Sequence, residues 1–332
     1  MLSFVVRDID RRLAMRTATV IGYGQIGARI VADLLRQGVE TTVVTRSAGA
    51  SVPEAARHVI GDAGRRDDVA GAAAGAEAIF ACFHTGYDSR LWADVLPGLE
   101  QVVLDVAAEQ GSVVIFPEST YAFAARAEEL RDDAEFAPAE DKGRVRQRLM
   151  EARSAHPAPA LSVLAGDLVG PDAAPATSVV RMMITDRVAA GRRPIIPADP
   201  DVPHALTDIA DLSAAMIHSA EHVEELLVGV AGAGGHRLLI APSQAPTLRD
   251  VGERAAGVAG RPAAAPWVLP HGVLRAAGLV SRTALELARL QPIWWRRCVL
   301  VPSGEFAGAL PGTPWRRSVE QMVRQSVEGA LV

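Results

Sequence analysis

Six residues near the start of the chain, Gly22-Tyr23-Gly24-Gln25-Ile26-Gly27, restrict its fold more than any others. They follow "TATVIG" (17–22), a short β-branched apolar run that reads as a buried strand. After them Ile26, Ile30, Val31, Leu34 and Leu35 recur at helical spacing, and Gly38 stands where a helix C-cap glycine belongs. G-x-G-x-x-G between a strand and a helix is a tight βα turn. The first glycine permits the turn, the second lets a pyrophosphate approach the backbone, and the third allows helix and strand to pack closely. The phosphates then meet free N–H groups at a helix N-terminus. A ligand-free glycine turn is the plain alternative, and the flanking strand and helix favour the dinucleotide.

The same alternation continues downstream. "ETTVVT" (40–45), "ARHVIGD" (56–62), "AEAIFACF" (76–83), "GSVVIFP" (111–117) and "ALSVLAGDLVG" (160–170) read as strands, with helical segments around 66–75 and 89–110. Strands alternating with helices predict an α/β fold, a doubly wound parallel Rossmann sheet with helices on both faces. Beyond about residue 170 helices dominate, at 176–191, 208–223 and 247–259, with one more strand at 237–243 and Pro- and Gly-rich loops at 262–272 and 302–314. The expected division is a dinucleotide-binding domain over 15–165, with segments returning near 200–260, and a smaller, mainly helical substrate lobe over 166–332.

At 332 residues the chain can bury a large core, and its composition is that of an ordinary globular protein. A net charge of -5 with scattered basic pairs argues against a nucleic-acid partner. Cys82 and Cys298 have neither CxxC spacing nor a His-rich neighbourhood, so no metal site is expected and a reducing, cytoplasmic setting fits. No run of about 20 apolar residues is present, so no membrane span is expected. Strand-like sequence begins only at Arg16; Met15 reads as an alternative start, with a poorly ordered segment before it. Heavy Ala, Gly, Arg and Pro usage suggests a GC-rich bacterial genome.

The end of the second strand selects the dinucleotide. An NAD(H) site places a carboxylate there for the ribose hydroxyls. Here the chain reads Val44-Thr45-Arg46-Ser47, and Arg46 suits a 2′-phosphate, which favours NADP(H) over NAD(H). A solvent-facing Arg46 is the alternative. Asp62 either accepts from an adenine amino group or caps the next helix.

With "VIGYGQIG", "VIGD", "VVIFPESTYAFA", "EDKGRVRQRL", "LAGDLVGPD" and "HALTDIADLSAAM" in this order, the chain resembles the short-chain dehydrogenase/reductase superfamily in its extended or atypical, epimerase/dehydratase-like branch. The last two resemble that branch's R-P-x-x-V-Y-G-P and V-x-D-V-A signatures. The resemblance covers about residues 15–260, and "ELARLQP" and "PGTPWRRSVEQMVRQSV" resemble its C-terminal lobe. It implies a role for Lys142, the single lysine among 34 basic residues. In this superfamily a lysine four residues after a tyrosine binds the nicotinamide ribose and lowers the tyrosine's pKa, so that the phenol transfers a proton as hydride moves. A compact ammonium suits that task better than a guanidinium. The chain departs from the pattern at two places: Pro138 stands where the tyrosine belongs and Pro117 where the serine belongs.

Substitutes are few, because the chain has three tyrosines. Tyr23 lies in the glycine loop. Tyr121 and Tyr87 follow the fifth and fourth strands, at the sheet end where ligands of such folds bind. Tyr121, Lys142 and Ser119 are the candidate catalytic residues; His84, Tyr87 and Trp267 are candidates for the substrate side, with His84 a proton donor near neutral pH. Gly22, Gly24, Gln25, Ile26, Gly27, Thr45, Arg46, Asp62 and Lys142 are the candidate cofactor contacts. Glu118 is a further candidate base, and Asp167 either positions substrate or bonds backbone. Trp267, Trp294 and Trp295 fall where the lobe should close over the nicotinamide. The expected function is an NADP(H)-dependent oxidoreductase on a small organic molecule, acting at a carbonyl or conjugated carbon. The alternatives are an epimerase or dehydratase with bound cofactor and a non-catalytic NADP(H) sensor. Fold analogy suggests a homodimer.

Overall fold

The computed structural model describes residues 15–329 apart from 176 and 233. The leader before Met15 and the first residue of the 176–191 segment lie outside the described residues. The elements in chain order are β1 (Thr17–Ile21), α1 (Gln25–Arg36), β2 (Glu40–Thr45), β3 (Arg57–Ile60), α2 (Arg66–Ala72), β4 (Ala78–Ala81), α3 (Ser89–Gln110), β5 (Val113–Ser119), α4 (Asp141–Ala155), β6 (Ala160–Ala165) and β7 (Asp167–Val169). Then follow a π-turn (Arg181–Thr185), α5 (Asp186–Ala189), β8 (Ile195–Ile196), β9 (Leu206–Asp208), α6 (Ile209–Glu221), α7 (Val223–Leu226), β10 (His236–Ile240), α8 (Leu248–Val258), β11 (Trp267–Val268), α9 (His271–Ala277), α10 (Arg282–Trp294) and α11 (Trp315–Gly329).

Seven strands form one parallel sheet in the order β10-β6-β5-β4-β1-β2-β3. The order reverses between β1 and β4, the switch point where doubly wound sheets bind ligands. Alternation along each strand sends neighbouring side chains to opposite faces. Val20, Phe80 and Ile115 pack with Ile30 and Leu34 of α1 and Leu212 and Met216 of α6. Ile21, Ile79 and Val114 pack with Val69 of α2 and Leu104 of α3. Both faces are covered, which is why these strands read as continuous apolar runs. The fold is the doubly wound one expected, with a mainly helical C-terminal region.

Local signals set the boundaries. Asp88 caps α3 by accepting from Arg90 N (2.8 Å), and Gly111 ends it in the left-handed region at φ 72°. Thr247 and Asp250 form a capping box at α8. The 160–170 run contains two strands: β6 stays in the main sheet, and β7 leaves it to pair with β9. The C-terminal region has its own core, in which Val180 and Ile184 of the π-turn segment, Ala255 of α8, Leu290 of α10 and Val323 of α11 are buried together.

Candidate active site

The glycine loop has the geometry its spacing predicts. Gly22 sits at φ +99°, and a Cβ there would lie 2.7 Å from the Cys82 carbonyl oxygen. A Cβ on Gly27 would lie 2.1 Å from the Gly22 carbonyl oxygen. Gly24 differs: it is exposed, and a Cβ there would meet nothing within 4 Å. It is also the N-cap of α1 and gives no side-chain cap, so the first amides of that helix keep their donors free. An open backbone beside free N–H groups fits a pyrophosphate. Gln25 is turned elsewhere: its Oε1 accepts from Ala174 N (2.8 Å) and Thr177 Oγ1 (3.0 Å), tying the loop after β7 to the phosphate end. Ile26 is half-buried against the core.

At the end of β2, Thr45 Oγ1 donates to Ser47 O (2.8 Å) and lies 2.6 Å from His58 Nε2. Arg46 is exposed and forms no ion pair or hydrogen bond among the described residues. Asp62 Oδ1 accepts from Gly64 N (2.9 Å), so one oxygen closes the turn before α2.

Lys142 is not at an open cofactor groove. It is completely buried, and its Nζ lies 2.6 Å from Glu286 Oε2 of α10 and 4.5 Å from the centre of the Tyr87 ring. The expected ammonium–ribose contact therefore meets a carboxylate and a phenol ring instead. Two features place it there. Glu140 caps α4 by accepting from Lys142 N (2.9 Å) and Gly143 N (2.8 Å). Gly143 lets the helix approach the Tyr121 backbone: a Cβ would stand 2.4 Å from Tyr121 O.

Above the lysine the two tyrosines meet, with Tyr87 and Tyr121 hydroxyls 3.1 Å apart. Both pKa values are raised chiefly by burial, that of Tyr121 to about 12, so both phenols hold their protons at neutral pH. Trp92 stacks edge-on against Tyr87, and its own N–H donates to Gly86 O (2.9 Å). The pair supplies O–H donors at the C-terminal ends of β4 and β5, on the same edge of the parallel sheet as the glycine loop.

Two further candidates are corrected by their partners. His84 Nδ1 donates to Thr85 O (2.6 Å) and Nε2 accepts from Arg146 Nη2 (2.9 Å), which fixes the neutral ring. Its pKa is pulled to about 4 by desolvation and by Arg146, so near neutral pH the ring is neutral and is not an imidazolium acid. Glu118 is buried, and its Oε2 accepts from Arg153 Nη1 at 3.0 Å. Arg153, wholly buried, also grips Glu100 through two bonds of 2.7 and 2.6 Å and donates to Ser162 Oγ (2.8 Å). Such a matched network holds α3, β5, α4 and β6 together; its carboxylates are not free bases. Ser119 sits half-buried at the end of β5, its hydroxyl 3.4 Å from Glu118 Oε1.

Trp267 is about half exposed (52%) on β11, whereas Trp294 is buried. Trp294, Val179, Met183 and Ile196 enclose a small apolar chamber of about 10 Å³ that Asp167 and His204 border. A larger cavity of about 280 Å³ lies between α6 and the 302–318 segment, but its acids are already paired, Asp211 with Thr313 and Asp208 with Ser318. His204, Glu286 and the Arg153–Glu100 pair were missed in the sequence, because partners 37 to 144 residues apart leave no local pattern.

Comparison with known proteins agrees with this geometry. Residues 22–134 match the family model described as NAD(P)H-binding. The matched segment runs from the glycine loop through β2, β3, β4 and β5. The whole chain shares its fold with solved UDP-sugar 4-epimerases. It superposes on a UDP-glucose 4-epimerase from Thermus thermophilus solved with NAD at 18% identity and a TM-score of 0.66, covering 95% of this chain and 99% of that one. A UDP-N-acetylglucosamine 4-epimerase from Methanobrevibacter ruminantium, solved with UDP-N-acetylmuramic acid, gives 13% and 0.72 over 96% and 100%. The corresponding enzyme from Bacillus cereus gives 11% and 0.70 over 93% and 96%. No curated protein matched. Among the described residues no helix is long and apolar enough to cross a membrane, and no group of three or more His, Cys, Asp or Glu could hold a metal ion.

Proposed function

We propose that the protein is an enzyme that holds a nicotinamide dinucleotide along the glycine loop and acts on a small organic substrate in the epimerase/dehydratase manner, with no net consumption of cofactor. The observation that carries this reading is the Tyr87–Tyr121–Lys142 array on the same edge of the sheet as the open Gly24 backbone. The epimerases of like fold, one of them solved with NAD, support the cofactor-recycling form. Bound there, the dinucleotide supplies hydride transfer at its nicotinamide ring. The amides of Gln25 and Ile26 hold the pyrophosphate, and Arg46 meets a 2′-phosphate on the adenosine side. Tyr121, protonated at neutral pH, would donate to the substrate oxygen as a carbonyl becomes a hydroxyl and take the proton back when that hydroxyl becomes a carbonyl. Tyr87 shares that proton across the 3.1 Å contact, and Lys142, locked on Glu286, fixes its ring from beneath. Ser119 gives a second polar contact at the strand end. Two free thiols suit a cytoplasmic setting.

Arg46 favours a second reading, a net NADPH-dependent reductase, since it suits NADP(H). The stoichiometry separates them. With a substrate in hand, product formed in excess of NADPH consumed supports the epimerase/dehydratase form, and equality supports the reductase. Tyr121→Phe should lower kcat about 100-fold or more in either case; unchanged turnover removes Tyr121 from the chemistry.

A further inference from the structure

Three arginines meet in the C-terminal region without a carboxylate among them. Arg192 and Arg193 stand between α5 and β8, and Arg261 stands just after α8. Together they line a recess of about 250 Å³ whose other walls are apolar, chiefly Val188, Pro194, Ala256 and Pro262. No acidic residue lines it. Among the described residues, Arg192, Arg193 and Arg261 form no ion pair. Arginines on α8 itself are matched: Arg249 holds Asp201 at 2.9 Å, and Arg254 holds Glu320 at 2.8 Å. Backbone bonds fix two of the three unmatched forks. Arg261 Nη2 donates to Ala189 O (3.3 Å), and Arg193 Nε donates to Ala265 O. Arg187 Nε donates to Arg193 O (2.8 Å) and holds that turn. Gly191 has φ +72°, and a Cβ there would stand 2.7 Å from Arg261 Nη1, so glycine is what lets this guanidinium lie across the backbone. Each anchored guanidinium uses one N–H on a carbonyl and keeps the rest, while Arg192 keeps all of its own. Like charges around one recess repel, and an anion inside it reverses the balance.

We propose that this recess is a second binding site, one that takes a small organic phosphate. Arg192, Arg193 and Arg261 hold its phosphoryl group, and its apolar body lies against Val188, Pro194 and Ala256. A phosphate monoester offers three strong acceptor oxygens to three guanidinium forks, whereas a carboxylate offers two. The planar fork is weakly hydrated and matches phosphate bidentately, which suits it to a rim open to water. The apolar walls select a phosphate that carries an organic body over the bare ion. None of these residues belongs to the glycine loop or to the Tyr87–Tyr121–Lys142 array, so the site stands apart from the function proposed above.

The test is isothermal titration of the full chain with phenyl phosphate, inorganic phosphate and benzoate. Phenyl phosphate should bind more tightly than either of the others. Arg192→Gln and Arg261→Gln should each weaken it about 10-fold or more. Both arginines are exposed, so neither change should disturb folding. Gly252→Leu keeps all three arginines and fills the recess from α8, where a Cβ would stand at an ordinary 3.7 Å from Pro194 Cγ; it should abolish binding. Gly24→Val, which obstructs the glycine loop, should bind phenyl phosphate as the wild type does. Loss of binding in Gly24→Val would place the phosphate at the dinucleotide site and overturn the proposal. So would no binding to the wild type at millimolar concentration, or wild-type affinity in Arg192→Gln, Arg261→Gln or Gly252→Leu. Benzoate or inorganic phosphate bound as tightly as phenyl phosphate would overturn the assigned ligand class.

Discussion

A hydrogen-bond chain at His236 decides how this protein responds to acid. Arg153 Nη1 donates to Ser162 Oγ, and that hydroxyl, 2.8 Å from His236 Nε2, is free to donate to the neutral ring. Burial, with Arg153 adding to it, pulls the His236 pKa from 6.5 to about 3. With the folded pKa depressed, the unfolded chain binds the proton first. The stability is complete above pH 6.5 and drains away as pH falls toward 3. The urea midpoint should drop between about pH 7 and 4.5, with His236 contributing about 1–3 kcal/mol, and His236→Gln should flatten that part of the dependence. An equal decline in the variant would assign the acid sensitivity to other groups. The lone lysine obeys a similar local logic. Lys142 occupies a fully enclosed place between Glu286 and the Tyr87 ring, where a compact ammonium fits and a planar guanidinium does not.

Among the elements, α4 sets the geometry of the tyrosine pair, because it is the helix that touches the Tyr121 backbone. Gly143→Ala would push a methyl to 2.4 Å from Tyr121 O and 3.0 Å from Pro138 Cβ. We expect a loss of about 1–3 kcal/mol, against the gain alanine gives in an open helix, together with reduced activity from a displaced Tyr121. A neutral or stabilising result in thermal melts would show that α4 and the segment after β5 are not held as described. This helix also shows where sequence legibility ends. β1, α1, β2 and α3 were readable because apolar periodicity, an Asp cap and terminal glycines are local signals. The split of 160–170 into β6 and β7 was not, since one uninterrupted apolar run conceals a change of sheet. Lys142 was legible as a special residue by composition alone, but its partner Glu286 lies 144 residues away, and no pattern in "EDKGRVRQRL" announces it. His84 misled for the opposite reason: the residue type suggested a titrating group, and burial together with Arg146 of α4 removes that capacity. Trp267 and Trp294 exchanged roles because burial depends on how β11 and α10 pack, which composition does not specify.

Across the whole molecule, polar ties link the C-terminal helices to the dinucleotide half. Glu286 of α10 receives Lys142, Arg282 and the Ser89 hydroxyl at the edge of α3. Ser318 of α11 bonds Asp208, and Ser213 of α6 bonds Asp33 of α1. Arg29 of α1 reaches Asp172 at 2.7 Å, and Gln25 holds Ala174 and Thr177, so the loop after β7 is fastened directly to the helix that opens the phosphate site. A ligand on the glycine loop is therefore positioned to steady the segment after β7. That makes dinucleotide binding at Gly24 the claim on which the rest depends. It is tested most directly by fluorescence titration with NADPH and NADH of the wild-type chain, Arg46→Ala and Gly24→Val. Gly24 has an ordinary φ of -85° and no neighbour within 4 Å, so the valine should fold normally while obstructing the pyrophosphate. NADPH should bind more tightly than NADH to the wild type, Arg46→Ala should lose that preference by about 10-fold or more, and a fully folded Gly24→Val should bind neither nucleotide. Wild-type affinity retained in Gly24→Val, or no binding of either nucleotide to the wild-type chain, would contradict it.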